Sequence, residues 1–298
     1  MLRDVAMPAP WWDKWIQFDL DEVAVRREDL KSSSMSPEYR PQFVFGMVNA
    51  HLSVTLRCYC RGDPITELRS HLPPLLDAWE EAERLGASVW TPAIQHSRHA
   101  WSVNLDHYIR CFWLTGLALA LDLPEGDWQR LVKLMGNEGE DALLDRVIAS
   151  RQSGRPIGDK LCHPKPYQRL LDAVNAPPAR QPELLRDFVT HWYRELDRPP
   201  KKGLSRMTAM YERPYWYDYD KADGAYFGFW CIEAVAAVKA LGIDDRLCLG
   251  LANYPGDLLR PDGPSSHTAP TAPTQDEALT SATPSLTDRM RRALFGSR

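Results

Sequence analysis

Residues 101–121 contain a segment that is apolar on nearly all sides from Tyr108 onward. A helix with no polar face is either wrapped by other helices or set in a membrane. Its greasiest part, Cys111 to Leu121, falls short of the ~20 residues a bilayer requires, and no apolar run elsewhere in the chain reaches about 18. The segment is therefore the expected centre of a helical bundle, and the rest of the chain must supply the helices around it.

It has the sequence to do so. Val44, Val48, Leu52 and Leu56 step by four, predicting a helix from Pro41 to about Arg61. Leu68, Leu72, Leu75, Leu76 and Trp79 predict another from Pro64 to Gly86, which Pro73-Pro74 should kink or split. Further helices are expected at Asp19–Lys31, Pro124–Met135, Asn137–Ser150, Pro164–Val174, Pro182–Leu196 and Ala225–Leu241, with a short helical turn near Asp245–Leu249. Sustained apolar/polar alternation and Asn-Gly or Asp-Gly hairpin signals are missing. The predicted fold is all-α, a bundle of about eight to ten helices. Hydrophobic residues make up 44% of the 298, enough for a sizeable core, and most of the eleven Trp and eleven Tyr are expected inside it or at an interface.

From Pro261 to Pro284 the composition turns to Pro, Ser, Thr and Ala, which cannot build a core. The expected organisation is an N-terminal helical part over 15–95, a C-terminal helical part over 96–259 packed on it as one unit, and a disordered tail over 260–298 whose stretch from Leu286 to Phe295 has weak amphipathic helix character. The net charge is −4, and because the tail holds five Arg against four acids, the body carries −5. Neither portion is basic enough for a nucleic-acid binder. The opening Met1-Leu2-Arg3-Asp4 lacks the layout of a signal peptide, so the expected location is the cytoplasm, with no membrane partner. The six Cys match no zinc-ribbon or redox spacing and are expected to be buried free thiols.

Catalytic patterns are weak. His96 and His99, three apart, together with Asp106 could belong to an all-helical metal-dependent hydrolase, but no further ligand of matching spacing follows, and a surface loop is the simpler explanation. Asp106-His107 has the reverse order of the His-Asp pair used by helical phosphohydrolases. The acids at Asp19–Glu22 and Asp244–Asp245 suit the positive end of a helix dipole without a metal. Nucleophile-elbow, Walker, dinucleotide and HExxH patterns are missing. No catalytic residue, metal or cofactor is expected.

Two blocks are more informative. One is 104–123 (NLDHYIRCFWLTGLALALDL), followed by 128–134 (WQRLVKL) and 141–148 (DALLDRVI). The other is 224–245 (GAYFGFWCIEAVAAVKALGIDD), ending at 253–258 (NYPGDL). Together they resemble the PoNi family of immunity proteins, the antidotes of PoNe-type DNase toxins that are often delivered by type VI secretion. The match runs through Tyr226, Gly228, Trp230, Glu233, Leu241, Gly242, Asp244, Asp245, Tyr254, Pro255, Asp257 and Leu258. In the family, the aromatic-Gly-aromatic-Trp run opens a helix, on which Tyr226 and Trp230 would share a face. What the resemblance implies is stoichiometric inhibition by binding, with a cognate DNase as the protein partner and no enzymatic activity. The tail after Arg260 departs from the resemblance, which implies no role for it.

A toxin that cuts DNA presents a basic cleft, which an acidic partner can cover. Two acidic segments stand out. One runs from Asn137 to Asp145, with Glu138, Glu140 and Asp141. The other runs from Asp218 to Asp223, where Asp218, Asp220 and Asp223 mix with Trp216, Tyr217 and Tyr219, the composition of an interface hot region. A solvated loop is the alternative for the second. These six acids are the candidate partner-binding residues.

Overall fold

A computed structural model describes residues 1–32, 35–197, 213–221 and 224–267. Among them every regular element is a helix. In chain order these are α1 (Ala9–Asp29), α2 (Arg40–Arg61), α3 (Ile65–Leu68), a 3₁₀ turn (Arg69–His71), α4 (Leu72–Gly86), α5 (Pro92–His99) and α6 (Leu105–Ala120). There follow α7 (Glu125–Met135), α8 (Leu144–Ala149), α9 (Pro164–Asn175), α10 (Gln181–Glu195), α11 (Ile232–Leu241) and a 3₁₀ turn at Gly256–Leu259. None of the described helices is long and apolar enough to cross a membrane.

The all-apolar helix is central, as its composition requires. α6 buries Leu105 and every residue from Cys111 to Ala120, and packs most extensively on α11. α2 lies between α1 and α4, and α9 pairs with α10, both of which also touch α11. One continuous hydrophobic core joins these layers. Eight of the eleven Trp are buried in it: Trp12, Trp79, Trp101, Trp113, Trp128, Trp192, Trp216 and Trp230. Five of the six Cys are buried, Cys162 being half-buried.

The helix ends depart from expectation for local reasons. α1 begins at Ala9, ten residues before Asp19, because Pro10 suits a first turn and Trp12 and Ile16 extend the buried stripe upstream. The break in the Leu68–Trp79 run falls at Arg69–His71, ahead of Pro73-Pro74. The two prolines sit in the first turn of α4, where missing N–H groups cost nothing. Where a loop was expected around His96 there is helix α5, started by Thr91, whose hydroxyl accepts the Ile94 N–H at 3.3 Å. α6 starts at Leu105 rather than Trp101, because Asn104 caps it by accepting the His107 N–H at 3.0 Å.

Two larger corrections bear on function. Asn137 caps no helix. It stands at φ +54° after Gly136, and its amide ties Trp101, His99 and Met135 together, so α8 starts only at Leu144. The aromatic-glycine run does not open α11. Residues 225–231 are non-helical, Gly228 adopts φ +90°, and the helix begins at Ile232. Likewise Asp245–Leu249 forms turns and no helix. The tail expected from residue 260 is held at least as far as His267: Ser265 and Ser266 bond Asp257, and His267 contacts the Tyr59 hydroxyl at 2.7 Å. The rest of it, 268–298 including the Leu286–Phe295 stretch, lies outside the described residues, as does 198–212.

A candidate partner-binding surface

The first acidic segment divides into two exposed acids and two buried ones. Glu138 and Glu140 face solvent. Asp141 and Asp145 are buried, which corrects the expectation of one continuous exposed acidic face. Asp141 works as a structural clamp. Its Oδ1 accepts the Tyr108 hydroxyl at 3.0 Å and the amides of Leu143 and Leu144 at 2.9 and 2.7 Å, and its Oδ2 accepts the Cys162 N–H at 2.7 Å. Asp145 accepts Arg155 Nε at 2.7 Å, with both side chains at 0% exposure, and also the Asp141 N–H at 2.9 Å. Burial raises the Asp145 carboxyl above its ordinary range, with Arg155 and the hydrogen bonds opposing. Glu138 reaches the same guanidinium from outside at 3.8 Å.

In the second segment side chains alternate inward and outward. Trp216 is buried, near Trp113 and Trp192, so it belongs to the core and not to a contact surface. Tyr217 stacks on Tyr193 at 4.6 Å. Asp218, 72% exposed, pairs with Arg213 at 2.5 Å, and Asp220 is exposed. Asp223 lies outside the described residues. Asp106, on α6, accepts the Tyr215 N–H at 3.1 Å and so anchors the segment, and burial pushes its carboxyl up to about 6.

Beside this segment lies a cleft of about 400 Å³ between α1, α2 and residues 215–219 and 224–227, lined by Trp15, Phe18, Glu22, Asn49, Tyr215 and Tyr219, among others. Its base is set by Arg57, buried on α2, which donates to the carbonyls of Tyr226, Trp15 and Gly224 at 3.1, 3.0 and 2.6 Å and pairs with Asp19. Sequence reasoning passed over Arg57 and the cleft. The available signal was an arginine flanked on both sides by the apolar positions of α2.

The remaining candidates do not converge. His99 Nε2 lies 3.0 Å from Glu83, His96 faces solvent, and Asp106 is engaged with Tyr215. Among the described residues no group of three or more His, Cys, Asp or Glu is arranged to hold a metal ion.

The motif residues of 224–258 are interior supports. Glu233 is fully buried, accepts the Tyr167 hydroxyl at 2.9 Å, and is approached by the indole N–H groups of Trp113 and Trp192, which close no well-aligned bond. Asp245 accepts the Tyr254 hydroxyl at 2.6 Å and the Arg260 guanidinium at 2.9 Å. Asp257 accepts Arg3 Nε at 2.8 Å, and Tyr226 donates to Asp4 at 2.6 Å, so the motif clasps the N-terminal residues.

Burial pushes the Glu233 carboxyl up to about 7, against 4.5 for an ordinary glutamate. A raised folded-state value means that its contribution is complete below the unfolded pKa and is lost as pH rises toward 7 and beyond. Asp19, Asp106 and Asp145 shift in the same direction. Glu233→Gln removes one titration and keeps the acceptor for Tyr167. Unfolding free energies at pH 5 and pH 8 should therefore fall less in the variant than in the parent, by up to roughly 3 kcal/mol. Equal falls would show that Glu233 does not titrate in this interval.

Two family models match the chain. One, described as PoNe immunity protein (PoNi), N-terminal, covers residues 3–133, and the other, PoNe immunity proteins (PoNi), C-terminal, covers 139–258. The gap between them falls at the turn through Gly136 and Asn137. Among solved structures, the crystal structure of protein PA2201 from Pseudomonas aeruginosa is similar, with a TM-score of 0.64 over 87% of this chain and 89% of that one, at 16% identity. That likeness shows a shared fold. No curated protein matches the chain.

Proposed function

We propose that this chain, which belongs to the PoNi family of PoNe immunity proteins, neutralises a cognate DNase toxin by binding it one to one, without turnover. The observation that carries this is the match of both family models, which together span nearly the whole chain. The toxin would arrive by type VI or another contact-dependent secretion, and the antidote would act in the cytoplasm, where the DNA is. Its net charge of −4 suits a nuclease whose DNA site must be basic, because opposite potentials speed encounter.

Exposed Asp218, Asp220, Glu138 and Glu140 are the proposed electrostatic contacts; buried Asp141 is withdrawn from the set. Reversing Asp218 and Asp220 to Lys, or Glu138 and Glu140 to Lys, should slow association with the toxin and weaken its salt dependence while leaving the thermal melt in place. Unchanged association for both pairs would put the contact elsewhere. The function itself is tested in cells. A strain expressing the cognate PoNe-type toxin should survive when this chain is co-expressed, and its death despite soluble antidote would refute the role.

A further inference from the structure

α1 carries two apolar stripes. Trp12, Ile16 and Val23 are buried against the core. One position round, Trp11, Trp15, Phe18, Glu22 and Val25 step by four and three along a second face, with Phe18 52% and Val25 54% exposed. A surface helix of a monomer needs only the first stripe. The second runs into the cleft, where Trp15, Phe18 and Glu22 meet Tyr215, itself 49% exposed. Trp15 is held in place edge-on to Phe18, with ring centroids 5.2 Å apart, and against Gly224, where a Cβ would come within 2.2 Å of its ring. The aromatic face is therefore preformed, which spares a partner the cost of ordering it.

Charge selects the occupant. α1 holds six acids (Asp13, Asp19, Asp21, Glu22, Glu28, Asp29) against three bases (Lys14, Arg26, Arg27), a net −3 on one helix of a chain whose net charge is −4. Inside the cleft Asp19 pairs with Arg57 and Glu22 with Arg26, so the unbalanced acids lie at its edge, where exposed Asp21 and Asp29 flank the stripe. Aromatic faces flanked by exposed carboxylates suit guanidinium and ammonium groups, which stack on the rings and pair with the acids. The helix already does this once, with Lys14 Nζ lying 4.8 Å from the Trp15 ring centroid. Trp, Tyr and Arg around a concavity are also the residues that dominate interface energies.

We infer that the outer stripe of α1 and the adjoining cleft form the docking surface for a basic, arginine- or lysine-bearing segment of the toxin. This rests on the neutralising role proposed above and says where that role is carried out. It extends the contact from exposed Asp218 and Asp220 onto α1.

The test uses the full chain and a catalytically dead form of its cognate PoNe-type toxin. Phe18→Ser with Val25→Ser removes two half-exposed side chains outside the core and, of the ring contacts, the one between Phe18 and Trp15, so the melting temperature should fall by no more than a few degrees. Affinity should fall by roughly 30-fold or more, mostly through faster dissociation. Parental binding that is tight and unchanged in the double variant would overturn the assignment and leave the neutralising role standing. Absence of binding by the parent chain would remove that role, and the assignment with it. A dimer of this chain that the double variant disperses, with toxin binding unchanged, would make the stripe a self-association surface and overturn the assignment as well.

Discussion

Replacing Asp145 with Ala is expected to destabilise the fold by about 3–5 kcal/mol, because it strands the buried guanidinium of Arg155. Arg155 Nε would lose its carboxylate, and Glu138, 3.8 Å away on the solvent side, is too distant to substitute as a hydrogen-bond acceptor. The Asp141 amide would lose its acceptor at the same time. In a protein of this size the loss amounts to a drop of roughly 10 °C in melting temperature. Glu138→Ala with Glu140→Ala should change stability by no more than about 0.5 kcal/mol, both being exposed. The pair of measurements separates acids that hold the fold from acids free to meet a partner. An Asp145→Ala protein with the parental melt would mean that Arg155 finds other compensation and that the clamp is not structural.

Gly228→Ala should cost more than about 3 kcal/mol, although it adds one methyl group. The residue stands at φ +90°, where a side chain is strained by about 1 kcal/mol before any contact is considered. The added Cβ would also lie 2.3 Å from Trp230 Nε1 and 2.7 Å from Cys60 Sγ. Neither neighbour can retreat: both are buried, and the Trp230 N–H donates to the Cys60 sulfur at 3.1 Å. Forcing them apart breaks that bond and displaces Trp230 from Tyr59, on whose ring it packs edge-on at 5.2 Å. Urea unfolding followed by circular dichroism measures the loss. A cost under about 1 kcal/mol would mean that the 225–231 segment can change course, and that its glycine is not a conformational requirement.

Gly228 also shows what the sequence does and does not reveal. Period-four apolar spacing located α7, α9 and α10 because each buries one face and exposes the other, and it located α2 from Val44, Val48, Leu52 and Leu56 although that helix is buried on all sides from Val54 to Cys60. It failed at 225–231, where aromatic residues on both sides of a glycine have the composition of a buried helix but lack its hydrogen bonds. It failed again at 137–143, where a run of acids looks like a helical first turn. The better signal was Gly136-Asn137 with Gly139, all three at positive φ. α1 was read short because its Trp residues fall on both stripes and blur the period. Of the candidate contacts, the exposure of Glu138, Glu140, Asp218 and Asp220 followed from polarity alone. The burial of Asp141 and Asp145 did not, because their partners Tyr108, Arg155 and Cys162 come from separate segments that only the fold brings together. Arg57 escaped notice for the same reason: the carbonyls it holds, from Trp15 and from Gly224 and Tyr226, are remote in sequence.

The most direct test of stoichiometric neutralisation is a titration of purified toxin nuclease activity on plasmid DNA with this chain. The expected result is a linear fall to zero, ending at one chain per toxin and unaffected by chelators added to the antidote beforehand. Undiminished cleavage at a several-fold molar excess of folded protein would contradict it, as would inhibition that requires only catalytic amounts.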